Sequence, residues 1–267
     1  MGWVYPAVGR GKMSEFVKQL LIVCPLLFLA GLCDSIAGGG GTISLPALML
    51  AGLPTHMALG TNKMCMSMGT AVSVYRYGKE GRIRWDLSLI AAAGGVLGAI
   101  GGAKLALLID DRYMRYVLLI LLPASALFLA LNRSFGQEGQ EKNYPPARTA
   151  LLAFLCGAGV GVYDGFFGPG AGTFYIMALS AALGIGLTEA TADTRVINMA
   201  SNIGALITFI SNGVVLWKLA LPGIACTMAG NYVGSGLAMK NGSRFVRPIM
   251  AGMILLLFVK TIYDLLS

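Results

Sequence analysis

The sequence predicts an all-α, polytopic helical membrane protein built from two related halves. Three observations predict it. First, 56% of the 267 residues are hydrophobic and only 12% are charged, with a mean hydropathy of +0.73; a soluble domain carries about twice that charged fraction. Second, continuous apolar runs of bilayer-spanning length recur along nearly the whole chain. The strands of a membrane β-barrel would instead alternate apolar and polar residues over roughly ten positions. Third, landmarks of the first half return in the second at a near-constant offset. Trp85 and Trp217 lie 132 positions apart, as do Lys63 and Arg195, Gly98 and Gly230, Gly102 and Gly234, Arg112 and Arg244, and Arg115 and Arg247. Asp34 and Asp164 differ by 130 and Thr42 and Thr173 by 131, so single-residue insertions separate the blocks.

The elements follow in order. Residues 1–19 are polar and irregular, and the first span covers Phe16–Ala37. No small-residue cleavage site precedes its end, so it is read as retained rather than as a cleaved leader. The four glycines Gly38 to Gly41 cannot continue a stable helix. The apolar segment 42–51 is too short to cross alone, and Gly52-Leu53-Pro54-Thr55 is a turn. A span over 57–77 leads into a basic loop with Arg76, Lys79, Arg82 and Arg84. Spans over 87–108 and 113–131 flank Asp110-Asp111-Arg112. The polar stretch of about 132–147 is a linker between halves. The second half repeats the order with 148–164, a short 174–183, then 188–211, 218–239 and 245–266.

This gives one transmembrane domain with repeat one over about 16–131 and repeat two over about 148–266, each of about five helical segments. An odd number of crossings per repeat would invert the second half. The loop charges agree in part: 76–84 is basic where 212–217 is not, and 240–247 is basic where 110–115 holds two acids. The basic N-terminus fits inversion less well, and a parallel four-plus-four arrangement stays open.

The net charge of +8 belongs to Lys and Arg flanking helices, which set topology. No aromatic-basic stripe points to nucleic acid. The cysteines Cys24, Cys33, Cys65, Cys156 and Cys226 lie singly in apolar segments and read as reduced packing residues. His56 stands alone in a turn, so no metal site and no cofactor are expected.

A carboxylate inside a span costs about 2.5–3.5 kcal/mol on insertion scales, so Asp34 and Asp164 read as functional. Each precedes a glycine-rich break: Gly38-Gly39-Gly40-Gly41-Thr42 in one half, Gly168-Pro169-Gly170-Ala171-Gly172-Thr173 in the other. A broken backbone survives in lipid only where protein or a water-filled cavity satisfies it. Thr42 and Thr173 are expected to N-cap the short helices, leaving backbone N–H groups to hold an anion. Lys63 and Arg195 sit among polar neighbours. Asn62 stands beside Lys63, and Asn198 and Asn202 share a helix face with Arg195. A cation with amides and hydroxyls on one face suits an oxyanion; a snorkelling cation with polar helix contacts is the structural alternative.

The motifs Asp34-Ser-Ile-Ala-Gly-Gly-Gly-Gly41 and Tyr163-Asp164-Gly-Phe-Phe-Gly-Pro-Gly-Ala-Gly172 resemble those of the TauE/SafE family of membrane transporters. So do Gly60-Thr-Asn-Lys63 and Asn198-Met-Ala-Ser-Asn-Ile-Gly204. The resemblance covers about Leu20 to Leu266. It implies a multi-pass carrier of the sulfite-exporter type in a bacterial inner membrane, handling sulfite, sulfonates or other small organic anions.

The combined reading is a secondary carrier of a small anion, not an enzyme. Its anion site uses Gly38, Gly39, Gly40, Gly41, Thr42, Asn62, Lys63, Gly170, Gly172, Thr173, Arg195, Asn198 and Asn202. Asp34 and Asp164 organise the breaks or couple a proton or cation. A homodimer in the bilayer is kept open. The alternatives are an intramembrane aspartyl protease using the two acids, against which Gly161-Val-Tyr-Asp164 lacks the Gly-x-Gly-Asp pattern, and an anion channel. No Walker motif is present to bind ATP.

Overall fold

The structure, a computed structural model, describes residues 10–110, 112–114, 116–117 and 142–241. Among these residues the regular structure is entirely helical. The elements are α1 (Arg10–Ala37), α2 (Gly41–Leu50), α3 (Thr55–Lys79), α4 (Trp85–Leu108), α5 (Pro146–Phe166), α6 (Ala171–Leu183), α7 (Leu187–Ser211) and α8 (Trp217–Asn241). The expected spans over 113–131 and 245–266, and most of the linker, lie outside the described residues.

Helices α1, over Phe16–Ala37, α4 and α5 are long and apolar enough to cross a membrane. Helices α3, α7 and α8 have 25 residues each and turn their polar side chains inward. On α7, Thr191, Asp193, Arg195, Asn198, Ser201 and Asn202 are buried while Ile203, Ile207 and Ile210 face out. Leu21, Leu29, Leu97, Leu105, Leu151 and Leu155 also project from the surface. Polar side chains are thus drawn into the interior beside the apolar core while large apolar ones face outward, the arrangement a bilayer selects. Trp85 and Trp217, half-exposed at the first turns of α4 and α8, stand where aromatic belts form.

Both glycine breaks end a helix as expected. Gly38 separates α1 from α2 with φ +77°, and Gly168 (φ +97°) and Gly170 (φ +78°) separate α5 from α6, a conformation that only glycine adopts without strain. With 10 and 13 residues, α2 and α6 reach about 15 and 20 Å at 1.5 Å per residue. Each folds back on the helix before it. Gln19 Nε2 on α1 donates to Ala51 O at 2.7 Å, and Lys142 N, just before α5, donates to Leu183 O at 2.9 Å. Each half thus opens with a helical hairpin tipped by glycine. The tips touch: a Cβ built on Gly38 would lie 2.3 Å from the Gly172 carbonyl carbon.

The halves exchange partners. Helix α1 packs along α8, and α5 along α4. A Cβ on Gly98 would lie 2.2 Å from Ala158 O, and one on Gly230 2.0 Å from Phe28 O. One on Gly102 would lie 2.1 Å from Val162 O, and one on Gly234 2.4 Å from Leu32 O. In both cases the glycines are 132 apart and the carbonyl residues 130 apart, so equivalent positions make equivalent contacts. The third helices run antiparallel. Thr61, near the start of α3, accepts from Leu216 N beyond the end of α7 at 2.9 Å. Arg84, beyond the end of α3, donates through its own N to Asp193 near the start of α7 at 2.9 Å.

Candidate functional site

The two acids sit one turn before the two glycine breaks, and the third helices bring the two cations to them. All four side chains are buried, with residue exposures of at most 2%. The pairing crosses between halves. Lys63 Nζ is 2.6 Å from Asp164 Oδ1 and donates to Asn202 Oδ1 at 2.9 Å. The second carboxylate oxygen of Asp164 accepts from Ser201 Oγ at 2.5 Å. Arg195 reaches Asp34, but differently: its Nη1 donates to the Asp34 backbone carbonyl and lies 3.7 Å from Asp34 Oδ2. Its Nε donates to Thr191 O at 3.1 Å. Asp34 Oδ2 also accepts from Thr70 Oγ1 at 3.2 Å. Two cations and two carboxylates leave the centre neutral, the condition under which ions tolerate burial.

Between the hairpin tips lies a cavity of about 10 Å³, room for about one water. It is lined by Asp34, Gly38, Gly41, Asn62, Lys63, Met66, Asp164, Gly168, Gly172, Asn198 and Asn202. Nine of these belong to the expected site. Met66 and Gly168 do not, yet the repeat pointed to both: Met66 is 132 positions before Asn198, and Gly168 is 130 after Gly38. The Asn62 amide oxygen is buried without a partner.

Six expected residues stand off the lining. Arg195 lies behind Asp34. Gly39, Gly40 and Gly170 belong to the breaks, where a Cβ on Gly40 would lie 2.5 Å from Ala30 O. Gly40 has φ −55°, so it is required for space and not for a left-handed backbone. The expectation that Thr42 and Thr173 cap helices is corrected. Gly40 and Gly170 occupy the N-cap positions and neither helix has a side-chain cap. Thr42 Oγ1 donates to Gly39 O at 2.7 Å, and Thr173 Oγ1 donates across to Ala37 O at 2.8 Å. A capping hydroxyl must precede the first helical residue, whereas these two threonines lie inside their helices; Thr42 bonds back within its own break and Thr173 ties the second tip to the first.

A further ion pair lies away from the cavity. Asp193, wholly buried, accepts from Arg84 Nη2 at 2.6 Å and Nε at 2.9 Å, and from Ser88 Oγ at 3.1 Å. Asp193 and Thr61 are repeat mates, as are Arg84 and Leu216, each pair 132 apart. The same joint is therefore made twice, once with an ion pair and once with a single neutral hydrogen bond. Elsewhere, His56 Nε2 lies 3.0 Å from Ala106 O and the five cysteines are free thiols.

A helical membrane bundle whose broken hairpins meet at a buried, charge-balanced polar centre has the build of a membrane transporter. The chain belongs to the TauE/SafE family: the family model described as sulfite exporter TauE/SafE matches residues 23–261. It is 36% identical over 242 residues to the probable membrane transporter protein ORF9 of a Sinorhizobium species, covering 89% of this chain and 90% of that protein. It is 33% identical over 258 residues to the probable membrane transporter protein YfcA of Escherichia coli K12, covering 94% and 95%. It is 27% identical over 244 residues to the probable membrane transporter protein YdhB of Bacillus subtilis, covering 88% and 100%. No solved structure matches the chain. The protein is a multi-pass membrane protein, and its relatives are named as transporters.

Proposed function

We propose that this transporter is a secondary carrier that exports a small oxyanion, of the sulfite or organosulfonate kind, through the gap between its two glycine hairpin tips. The observation that carries this reading is the Lys63 ammonium, buried at the cavity with amides of Asn62, Asn198 and Asn202 around it. A charge-assisted donor among neutral amides is what an oxyanion requires when it leaves water. Sulfite, with one sulfur and three oxygens, exceeds the single-water cavity, so the present form is closed and the tips must part to admit it. The antiparallel third helices and the exchanged glycine contacts support halves related by inversion. Such halves can open alternately to either side by rocking about the shared tips. The protease alternative loses its ground, because each aspartate is held by a cation of the other half and not left free to share a proton with its fellow.

The test is uptake of labelled sulfite, thiosulfate, methanesulfonate and small carboxylates into proteoliposomes. The carrier reading expects saturation and counter-transport by one of them, and a Lys63→Gln variant that is folded but weakened. Loss of a charge-assisted contact of about 1.5–3 kcal/mol corresponds to roughly 10- to 150-fold in affinity. Unsaturable flux would favour a channel. Unchanged affinity in Lys63→Gln would reduce Lys63 to a structural ion pair.

A further inference from the structure

We propose that the two ion pairs exchanged between the halves have different jobs: Lys63–Asp164 opens to admit the anion, one proton moving onto Asp164 as the anion replaces it at Lys63, while Arg195–Asp34 stays closed and holds the first hairpin tip. The proposal rests on the anion-carrier reading above and assigns its coupling ion.

The geometry separates the pairs. Both contacts of Lys63 Nζ are side-chain oxygens at the cavity, Asp164 Oδ1 and Asn202 Oδ1, and both can be exchanged without disturbing a helix. Arg195 is bound to backbone carbonyls, those of Asp34 and Thr191. It stands behind the cavity and lies farther from its carboxylate, 3.7 Å against 2.6 Å. Asp34 is further tied to Thr70 and to the backbone of Gly40 in its own break. Opening that pair would unmake the hairpin tip.

Charge balance then fixes the partner of the anion. With all four groups ionised the centre is neutral, so an added monoanion leaves one uncompensated charge in a low-dielectric interior. A proton from the water on the open side joins the Asp164 carboxylate to give the neutral acid. The Lys63 ammonium keeps its own protons and turns to the anion, and the total returns to zero. Ser201, now donating to Asp164 Oδ2, can rotate its hydroxyl to accept from the acid. Its repeat mate is Gly69, 132 positions earlier; the hydroxyl on Asp34 comes instead from the next residue, Thr70, at the longer distance of 3.2 Å. Asn62, unpartnered at the cavity, can turn its amide to offer N–H donors. The charged or titratable groups facing Asp164 are Lys63 on α3, Asp34 on α1 and Tyr175 on α6. From α7 the neutral Ser201 donates to it and the neutral Asn202 shares Lys63 with it, and α4 packs against its helix with Gly95 and Ala99.

The test uses the purified full-length protein and methanesulfonate, a monoanion that does not titrate near neutrality, beside thiosulfate and sulfite. Calorimetric titration in buffers of different ionisation enthalpy counts the protons taken up per anion. For methanesulfonate the expected result is about one in the wild type and none in Asp164→Asn. No proton uptake by the wild type, with affinity set by sodium instead, overturns the proposal; so does equal uptake in Asp164→Asn. Because that variant leaves Lys63 without a counter-charge, the neutral double variant Lys63→Met/Asp164→Asn is a second protein to measure. Infrared difference spectra on acidification give a second readout. The carboxylic-acid band of the buried centre should appear in the wild type and vanish in Asp164→Asn and the double variant; the same band retained in Asp164→Asn overturns the assignment. If none of the three anions binds while the band follows Asp164, the anion-carrier reading falls and the proton step stands.

Discussion

The ion pair of Arg84 with Asp193 gives the most quantitative expectation. It joins the loop after α3 to the start of α7, and the repeat supplies its own control in Thr61 with Leu216 N. Asp193 is wholly buried, while the Arg84 side chain is 30% exposed. Truncating one partner of a fully buried pair costs about 3–5 kcal/mol, and an exposed pair is worth about 0.2–1 kcal/mol. The two guanidinium contacts, at 2.6 and 2.9 Å, would place this pair near the upper range. Yet Arg84 can recover water when its partner is removed. A coupling energy of about 2 kcal/mol follows, roughly 30-fold in an equilibrium constant. The perturbations are Arg84→Gln, Asp193→Asn and the double variant, read as a double-mutant cycle. The assay is reversible unfolding in mixed micelles with increasing dodecyl sulfate. Thr61→Val, which removes one neutral hydrogen bond, should cost about 1 kcal/mol. A coupling energy near zero, or a Thr61→Val cost as large as that of Asp193→Asn, would refute the reasoning that the two joints differ through charge.

Two further outcomes are expected. Gly38→Ala should yield little folded protein, because its φ of +77° and the Gly172 carbonyl carbon 2.3 Å from the added methyl both oppose it. Gly101→Ala, with nothing within 4 Å of its methyl, should fold normally; thermal melts of the detergent-purified variants compare them, and equal melting would show that the tips do not touch as described. In a cysteine-free background, Glu80→Cys and Asn212→Cys should label from opposite sides of intact cells, and labelling from one side would rule out inverted halves.

The sequence alone marks the residues out of place in an apolar chain. The offsets between repeat mates, the glycine runs that end α1 and α5, and the isolated acids and cations in apolar surroundings are local patterns, written in residue order. They identified Asp34, Lys63, Asp164 and Arg195 before any contact was known. The same patterns misjudged Thr42 and Thr173, because a glycine-rich break does not reveal the residue at which the next helix starts. The N-caps lie two and three residues earlier, at Gly40 and Gly170.

Only the tertiary structure decided which cation meets which acid. Lys63 and Asp164 are 101 positions apart and Arg195 and Asp34 161, and no local periodicity selects those pairs over Lys63 with Asp34. The choice follows from the packing of α1 on α8 and α5 on α4. There, glycines facing carbonyls fix the register of each hairpin against the other half, and the touching tips at Gly38 and Gly172 then set each carboxylate beside the opposite repeat's cation. That close approach also left Lys63 at the cavity and Arg195 behind it, a difference between two matching positions that depends on backbone contacts a few ångströms away and not on the residues themselves.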